Sequence, residues 1–206
     1  MSPTRSLCER ARLYTFITRK SGYLPGCGRV VWRDWYTHAV VEGDPSSGRN
    51  TVVELDAPLG HIPVLIRSGA ALLLHSQPGY TTRASAAASY ALLVSLGREG
   101  HAHGTAVVDD GETQQQPDDV TVATQSRTLA FDAHDKSLEI LGQGAFRVIQ
   151  TLGVITVLGV HKTPRRVRLD GVDVPPGKWV YDSAVQRLVV SDLSVDLNGR
   201  STVTWG

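Results

Sequence analysis

Three groups of side chains in this 206-residue sequence have the types and spacing that catalysis or ligand binding would use: adjacent carboxylates, a histidine pair and an aromatic cluster. The carboxylates are Asp109 and Asp110, with Glu112 close by. Paired acids suggest glycoside hydrolysis, in which retaining enzymes hold two carboxyl groups about 5–5.5 Å apart across a sugar and inverting enzymes hold them further apart. Consecutive residues on a strand point to opposite faces, so Asp109 and Asp110 do not flank one glycosidic bond. The segment reads instead as a strand-ending turn, in which Asp side chains cap backbone amides and Gly111 takes a positive φ. A calcium role for the same oxygens is the lesser alternative, because one short acidic loop supplies few of the 6–8 ligands that ion takes.

His101 and His103 share one face if their segment is a strand, but a zinc site needs a third ligand and the neighbouring sequence offers none that is compelling. A solvated loop end is the favoured reading. His61, beside Ile62, Pro63 and Val64, is expected to make a structural hydrogen bond rather than transfer a proton. No Gly-x-Ser-x-Gly elbow, phosphate-cradling loop or dinucleotide fingerprint occurs. The two cysteines, Cys8 and Cys27, fit no four-ligand zinc pattern and read as unpaired thiols. In the aromatic cluster, strand alternation would place Trp32 and Tyr36 on one face and Trp35 on the other, so at least one ring is expected in a core. No catalytic, cofactor-binding or metal residue is assigned.

The elements that would position these residues are strands. Val, Thr and Ile are abundant, Met occurs once, and 20 Gly and 10 Pro punctuate short apolar runs. Period-two alternation predicts strands at 51–55 and 90–96, both half-buried, with Tyr90, Leu92, Val94 and Leu96 on one face. Further strands are predicted at 104–109, 120–131, 137–141, 154–160, 166–170, 178–181, 187–190 and 201–205. Asp110-Gly111, Asp135-Lys136 and Pro176-Gly177 are turn signals, and Asp170-Gly171 supplies a two-residue hairpin turn. Residues 84–88 are expected to form one helical turn. The expected map is an unrecognised leader over 1–28, an incomplete proximal β-sandwich over 29–80, and a distal β-sandwich over 88–206, the boundaries falling near Gly28 and in the polar stretch 76–89.

The formal net charge of +1, from 21 Lys+Arg against 20 Asp+Glu, provides no basic field for nucleic acid. No apolar stretch approaches the roughly 20 residues of a membrane-spanning helix. Residues 1–20 are basic but lack the apolar core of a secretory signal.

Several segments, taken in order, resemble a known family. Tyr23-Leu-Pro and Val31-Trp-Arg-Asp-Trp-Tyr-Thr37 resemble the region after the catalytic barrel in α-glucosidases of glycoside hydrolase family 31. The likeness strengthens at Leu55-Asp-Ala-Pro-Leu-Gly-His-Ile-Pro-Val-Leu-Ile-Arg-Ser-Gly69, where Ser68 stands at a position the family usually gives to Gly. It continues through Thr81-Thr-Arg83, Ala91-Leu-Leu-Val-Ser-Leu96 and Val108-Asp-Asp-Gly-Glu112. Val154-Ile-Thr-Val-Leu-Gly-Val160 and Val167-Arg-Leu-Asp-Gly171 resemble the last strands of secreted fungal members.

The resemblance implies an all-β chain of two β-sandwich modules, the non-catalytic C-terminal part of a retaining, extracellular enzyme that removes terminal α-linked glucose. The family's two catalytic Asp residues lie on a (β/α)8 barrel upstream of the matched region, and neither motif is present. Such a barrel takes about 250 residues. The expected partner is therefore a catalytic barrel absent from this chain, with glucan contacted only through the parent enzyme. A fragment of this kind is expected to be inactive alone and to self-associate through exposed edges. The alternative from another class is an autonomous carbohydrate-binding or adhesion sandwich with an exposed aromatic platform.

Overall fold

The structure, a computed structural model, describes residues 18–26, 30–41, 52–77, 79–111, 126–134 and 136–206. The described part of the N-terminal half carries β1 (Arg19–Tyr23), β2 (Trp32–Asp34), β3 (Val40–Val41), β4 (Val52–Asp56), β5 (Leu65–Arg67), β6 (Ala70–His75), helix α1 (Thr82–Ala86) and β7 (Tyr90–Ser95). Then come β8 (Ala102–Asp109), β9 (Ser126–His134), β10 (Ser137–Gln143), β11 (Leu152–Leu158) and β12 (Val167–Leu169). The last four are β13 (Val172–Asp173), β14 (Trp179–Asp182), β15 (Arg187–Val190) and β16 (Arg200–Trp205).

Three sheets result: a ribbon β1-β4, a small sheet β3-β2-β5, and an eleven-stranded sheet β13-β12-β16-β10-β9-β8-β6-β7-β11-β15-β14. The large sheet turns a corner where β6 and β8 meet at one parallel pair, Ala70 opposite His103. Its two wings fold their apolar faces onto one core, with Leu129, Phe131, Leu138 and Ile140 from one side and Leu92, Val94, Ile155 and Val157 from the other. This is β-sandwich packing. Gly104 permits the corner, because a Cβ there would overlap the Ala71 carbonyl.

The all-β expectation holds, and the turn chemistry is as read. Leu169 pairs with Val172 across Asp170 (φ 50°) and Gly171 (φ 80°), a two-residue hairpin turn with both residues left-handed. Lys178 N–H donates to Pro175 O at 3.1 Å around Pro176 and Gly177 (φ 99°). At the end of β9, His134 pairs with Ser137 and Lys136 has φ 66°, while Asp135 of the expected Asp135-Lys136 turn lies outside the described residues. Residues 120–125 of the expected 120–131 strand also lie outside them.

Two details differ from expectation, and two further ones concern where strands fall on the expected map. The helix starts two residues early, because the Thr81 hydroxyl accepts the Ala84 N–H at 3.1 Å and caps it. Strand β7 is buried on both faces rather than one: Tyr90, Leu92 and Val94 face the main core, while Leu93 joins Ile66 and Leu158 in a second cluster with Trp35 and Leu74. The small sheet covers what would otherwise be the outer face. β6, inside the expected 29–80 segment, is a neighbour of both β7 and β8, so the large sheet takes strands from both sides of the 76–89 connection. β1, inside the expected leader, pairs with β4 from Arg19 opposite Asp56 to Tyr23 opposite Val52.

Candidate functional site

Asp109 ends β8, and its Oδ1 accepts the Gly111 N–H at 2.9 Å, with Gly111 at φ 71°. Its carboxylate is thus engaged in the turn the sequence indicates. Glu112, Cys8 and Cys27 lie outside the described residues. His61 donates its backbone N–H to Pro58 O at 2.9 Å, and its ring lies 5.0 Å from that of Tyr36. His101 and His103 stand on the outer surface beside β9. Among the described residues no group of three or more His, Cys, Asp or Glu side chains is placed to hold a metal ion.

Strand alternation does not govern the aromatic cluster, because β2 ends at Asp34. The Asp34 Oδ1 accepts the Tyr36 N–H at 3.0 Å, the Thr37 N–H at 2.7 Å and the Thr37 hydroxyl at 2.8 Å, bending the chain there. Burial would raise the Asp34 pKa, but these hydrogen bonds and His61 outweigh it and hold the carboxyl below its ordinary value. Trp35 packs into the second core cluster, Trp32 donates Nε1–H to Pro25 O at 3.1 Å, and Tyr36 is exposed with its hydroxyl on Ile62 O at 3.1 Å. Of the four tryptophans, Trp205 is buried and Trp32, Trp35 and Trp179 are half-buried.

The feature that sequence reading missed lies between these rings. Arg33 is only 2% exposed and reaches from the small sheet into the β14–β15 turn of the sandwich. Its guanidinium donates to Val185 O at 2.8 Å, Gln186 Oε1 at 3.2 Å and His38 O at 3.1 Å. Burial pushes its pKa down, yet arginine starts high enough to stay charged. Beside it, Arg187 lies 3.4 Å from His38 Nδ1 and 3.3 Å from Asp182 Oδ2. Burial, then Arg187 and Arg33, lower the His38 pKa. Ser68 makes a second tie: its Oγ accepts the Val31 N–H at 2.9 Å while its own N–H donates to Val31 O at 2.8 Å. The serine in place of the usual glycine is thus a hydrogen-bonding member of the small sheet. The only sequence signal for Arg33 is a cation flanked by bulky aromatics.

The small sheet and the β4–β5 connection also present apolar surface. Leu59 is 88% and Ile62 74% exposed, with Val64 and Tyr36 exposed beside them. Large exposed apolar side chains grouped in this way are what a contact with another body would use.

Comparison with known proteins gives these features a context. An α-glucosidase of Aspergillus niger is 38% identical over 182 residues, covering 88% of this chain and 17% of that enzyme. Glucoamylase 1 of Schwanniomyces occidentalis is 35% identical over 77% of this chain and 15% of its own length. A family 31 glucosidase of Schizosaccharomyces pombe is 28% identical over 89% and 17%. The chain therefore spans less than a fifth of these relatives. No family model matches it. Among solved structures, the ER glucosidase II heterodimeric complex aligns with a TM-score of 0.68 over 92% of this chain and 21% of that one, at 20% identity. An α-1,4-glucan lyase of Gracilariopsis lemaneiformis aligns with a TM-score of 0.59 over 91% and 20%, at 15% identity. These two likenesses concern the fold.

Proposed function

We propose that this chain, which corresponds to the C-terminal β-sandwich region of the α-glucosidases of glycoside hydrolase family 31, is the non-catalytic support of a catalytic barrel. The observation that carries the reading is the 38% identity to the Aspergillus niger α-glucosidase over 88% of this chain but only 17% of that enzyme. The reaction served is hydrolysis of terminal α-linked glucose with retention, and the acids that perform it belong to the barrel.

The surface we assign to the barrel is the apolar loop of Leu59, Ile62 and Val64 with Tyr36 beside it. Residues 29–80 then carry the docking face and residues 88–206 the outer support, joined through β6. The route is the secretory one, extracellular as in the fungal members that the sequence resembles. In isolation, the edge strands β13 and β14, with Val172 and Val180 exposed, favour self-association.

Two experiments test the proposal. The purified chain incubated with maltose and a chromogenic α-glucoside is expected to give no turnover above background, and activity surviving repurification would overturn it. Replacing the matched segment of the Aspergillus niger enzyme with this chain is expected to leave a folded, active chimera. A chimera whose barrel no longer folds or turns over would show that this chain does not supply the support.

A further inference from the structure

One end of the sandwich gathers positive charge. β7 and β11 pair in parallel, so the segments that leave them, 96–100 and 159–164, emerge side by side. Lys136, just before β10, joins them because its carbonyl oxygen accepts the Trp205 N–H at 3.0 Å. Together these pieces surround a cavity of about 350 Å³. Its floor is Leu96, Val160, Pro164 and Trp205, all buried. On its rim stand the exposed Arg98, Lys136, His161 and Lys162, with Glu99 as the one acid. A second recess of about 390 Å³ adjoins the first at Trp205 and Gly206 and carries Arg165, Arg166 and Arg168. The carbonyl oxygen of Gly206 accepts the N–H groups of Arg165 at 2.7 Å and Arg166 at 3.0 Å, which fixes the backbone between the two recesses.

We propose that the two recesses form one binding track for a polysaccharide that carries sulfate or phosphate esters. The charge calls for an anion. Even with a carboxylate at Gly206 counted beside Glu99 and Asp173, the six Lys and Arg side chains leave the track positive, an excess that the formal net charge of +1 for the whole chain conceals. Asp173 is shared by two of the six, its Oδ1 lying 2.8 Å from Arg168 Nε and 3.7 Å from Arg166 Nε. Arg98, Lys136, Lys162 and Arg165 make no ion pair among the described residues. A recess lined by one sign of charge over low-dielectric walls focuses the field on its ligand, and the guanidinium fork matches the oxygens of a sulfate or phosphate ester. The shape calls for a saccharide in place of other polyanions. An apolar floor under a polar rim receives the C–H face of a ring and leaves its charged substituents at the edge. No exposed Tyr, Phe or Trp lines either recess, since Trp205 is only 6% exposed, so nucleic acid bases have no ring to stack on. The cations also surround a hollow and do not project from a plane, as contact with a lipid surface requires. The track shares no residue with the Leu59–Ile62 docking surface, and its binding is read on this chain alone, so it stands or falls separately from the support role.

The test is calorimetric titration of the full chain, at low and at physiological salt, with dextran sulfate oligosaccharides and with uncharged dextran of the same length. The Trp205 indole N–H is followed by NMR. Saturable binding of dextran sulfate alone is expected, weakened by salt and accompanied by a shift of the Trp205 resonance. Lys162→Gln combined with Arg165→Gln should weaken it about five- to tenfold. Arg83→Gln, on α1 at the other end of β7, should leave it unchanged. All three positions are exposed, and melting curves matching the parent's establish that the variants fold. Absence of saturable binding, equal binding of uncharged dextran, an unmoved Trp205 resonance, binding that survives the double substitution, or equal loss in Arg83→Gln overturns the track. Tighter binding of oligothymidylate or of phosphatidylserine vesicles than of dextran sulfate also overturns it.

Discussion

Replacing Arg33 with methionine asks whether charged hydrogen bonds or apolar contact alone hold the small sheet to the sandwich. The guanidinium makes three hydrogen bonds, to His38 O, Val185 O and Gln186 Oε1. Hydrogen bonds to a charged group contribute about 1.5–3 kcal/mol each, so the three together come to about 5–9 kcal/mol. Against this, no carboxylate ion-pairs with Arg33 among the described residues, and its Nε has no partner. Removing a buried cation so poorly compensated returns several kcal/mol of desolvation. Methionine keeps most of the apolar stem in place. The expected net loss for Arg33→Met is about 2–4 kcal/mol, read as a lower urea midpoint with an unchanged slope. Tryptophan fluorescence is a suitable probe, since Trp35 sits in the adjoining cluster. Arg33→Lys keeps the charge but loses the planar fork, so its loss should be intermediate. An Arg33→Met midpoint at or above the parent's would refute the reasoning, because desolvation would then outweigh all three bonds.

Acid should loosen the same junction. His38 is held below its ordinary 6.5 when folded, so the unfolded chain binds its proton first. The His38 contribution is present above that value and is lost as pH falls below it toward the folded pKa. Asp34 and Asp196, both held below their ordinary 3.8, keep their contributions above that value and lose them at lower pH; stability against pH with and without His38→Gln separates the two windows. Gly171→Val should destabilise by about 1–2 kcal/mol, because a β-branched residue resists the left-handed conformation that the β12–β13 turn needs, and a melting temperature equal to the parent's would contradict that. Leu59→Asp with Ile62→Asp should change the stability of the isolated chain by less than about 0.5 kcal/mol while preventing assembly in the chimera, measured by its recovery as soluble, active enzyme.

What the sequence made legible was local. Asp170-Gly171, Pro176-Gly177 and the Asp109–Gly111 turn act through their own backbone, so their residues announce them. The alternation from Tyr90 to Leu96 likewise identifies the inward face of β7. The outward burial of Leu93 is not local, because it depends on Ile66 arriving from a different sheet. The same holds for Arg33, two of whose three acceptors, Val185 O and Gln186 Oε1, lie 152 and 153 positions away in the chain, and for His134, which meets His101 only through the β8–β9 register. The aromatic cluster misled for a related reason. Alternation extrapolates a strand past Asp34, whereas three hydrogen bonds to that carboxylate end it.

The junction bears on support because of what it holds still. The β4–β5 connection carrying Leu59 and Ile62 is tied along its length: Ala57 N–H to Thr18 O at 2.7 Å, Tyr36 hydroxyl to Ile62 O at 3.1 Å, and Trp35 N–H to Val64 O at 2.9 Å. The first tie belongs to the β1–β4 ribbon, and the other two hang on β2 and β5, which are fixed to the sandwich by Arg33 on one side and by the Ile66–Leu93–Leu158 cluster on the other. An apolar surface already ordered in this way loses little conformational freedom on docking, so more of its burial appears as affinity. Loosening Arg33 should therefore weaken docking even though Arg33, being buried, cannot touch the barrel. In the chimera, Arg33→Met should lower thermal stability while leaving KM unchanged. A change in KM with no change in stability would mean that the junction acts on the active site instead of on the support.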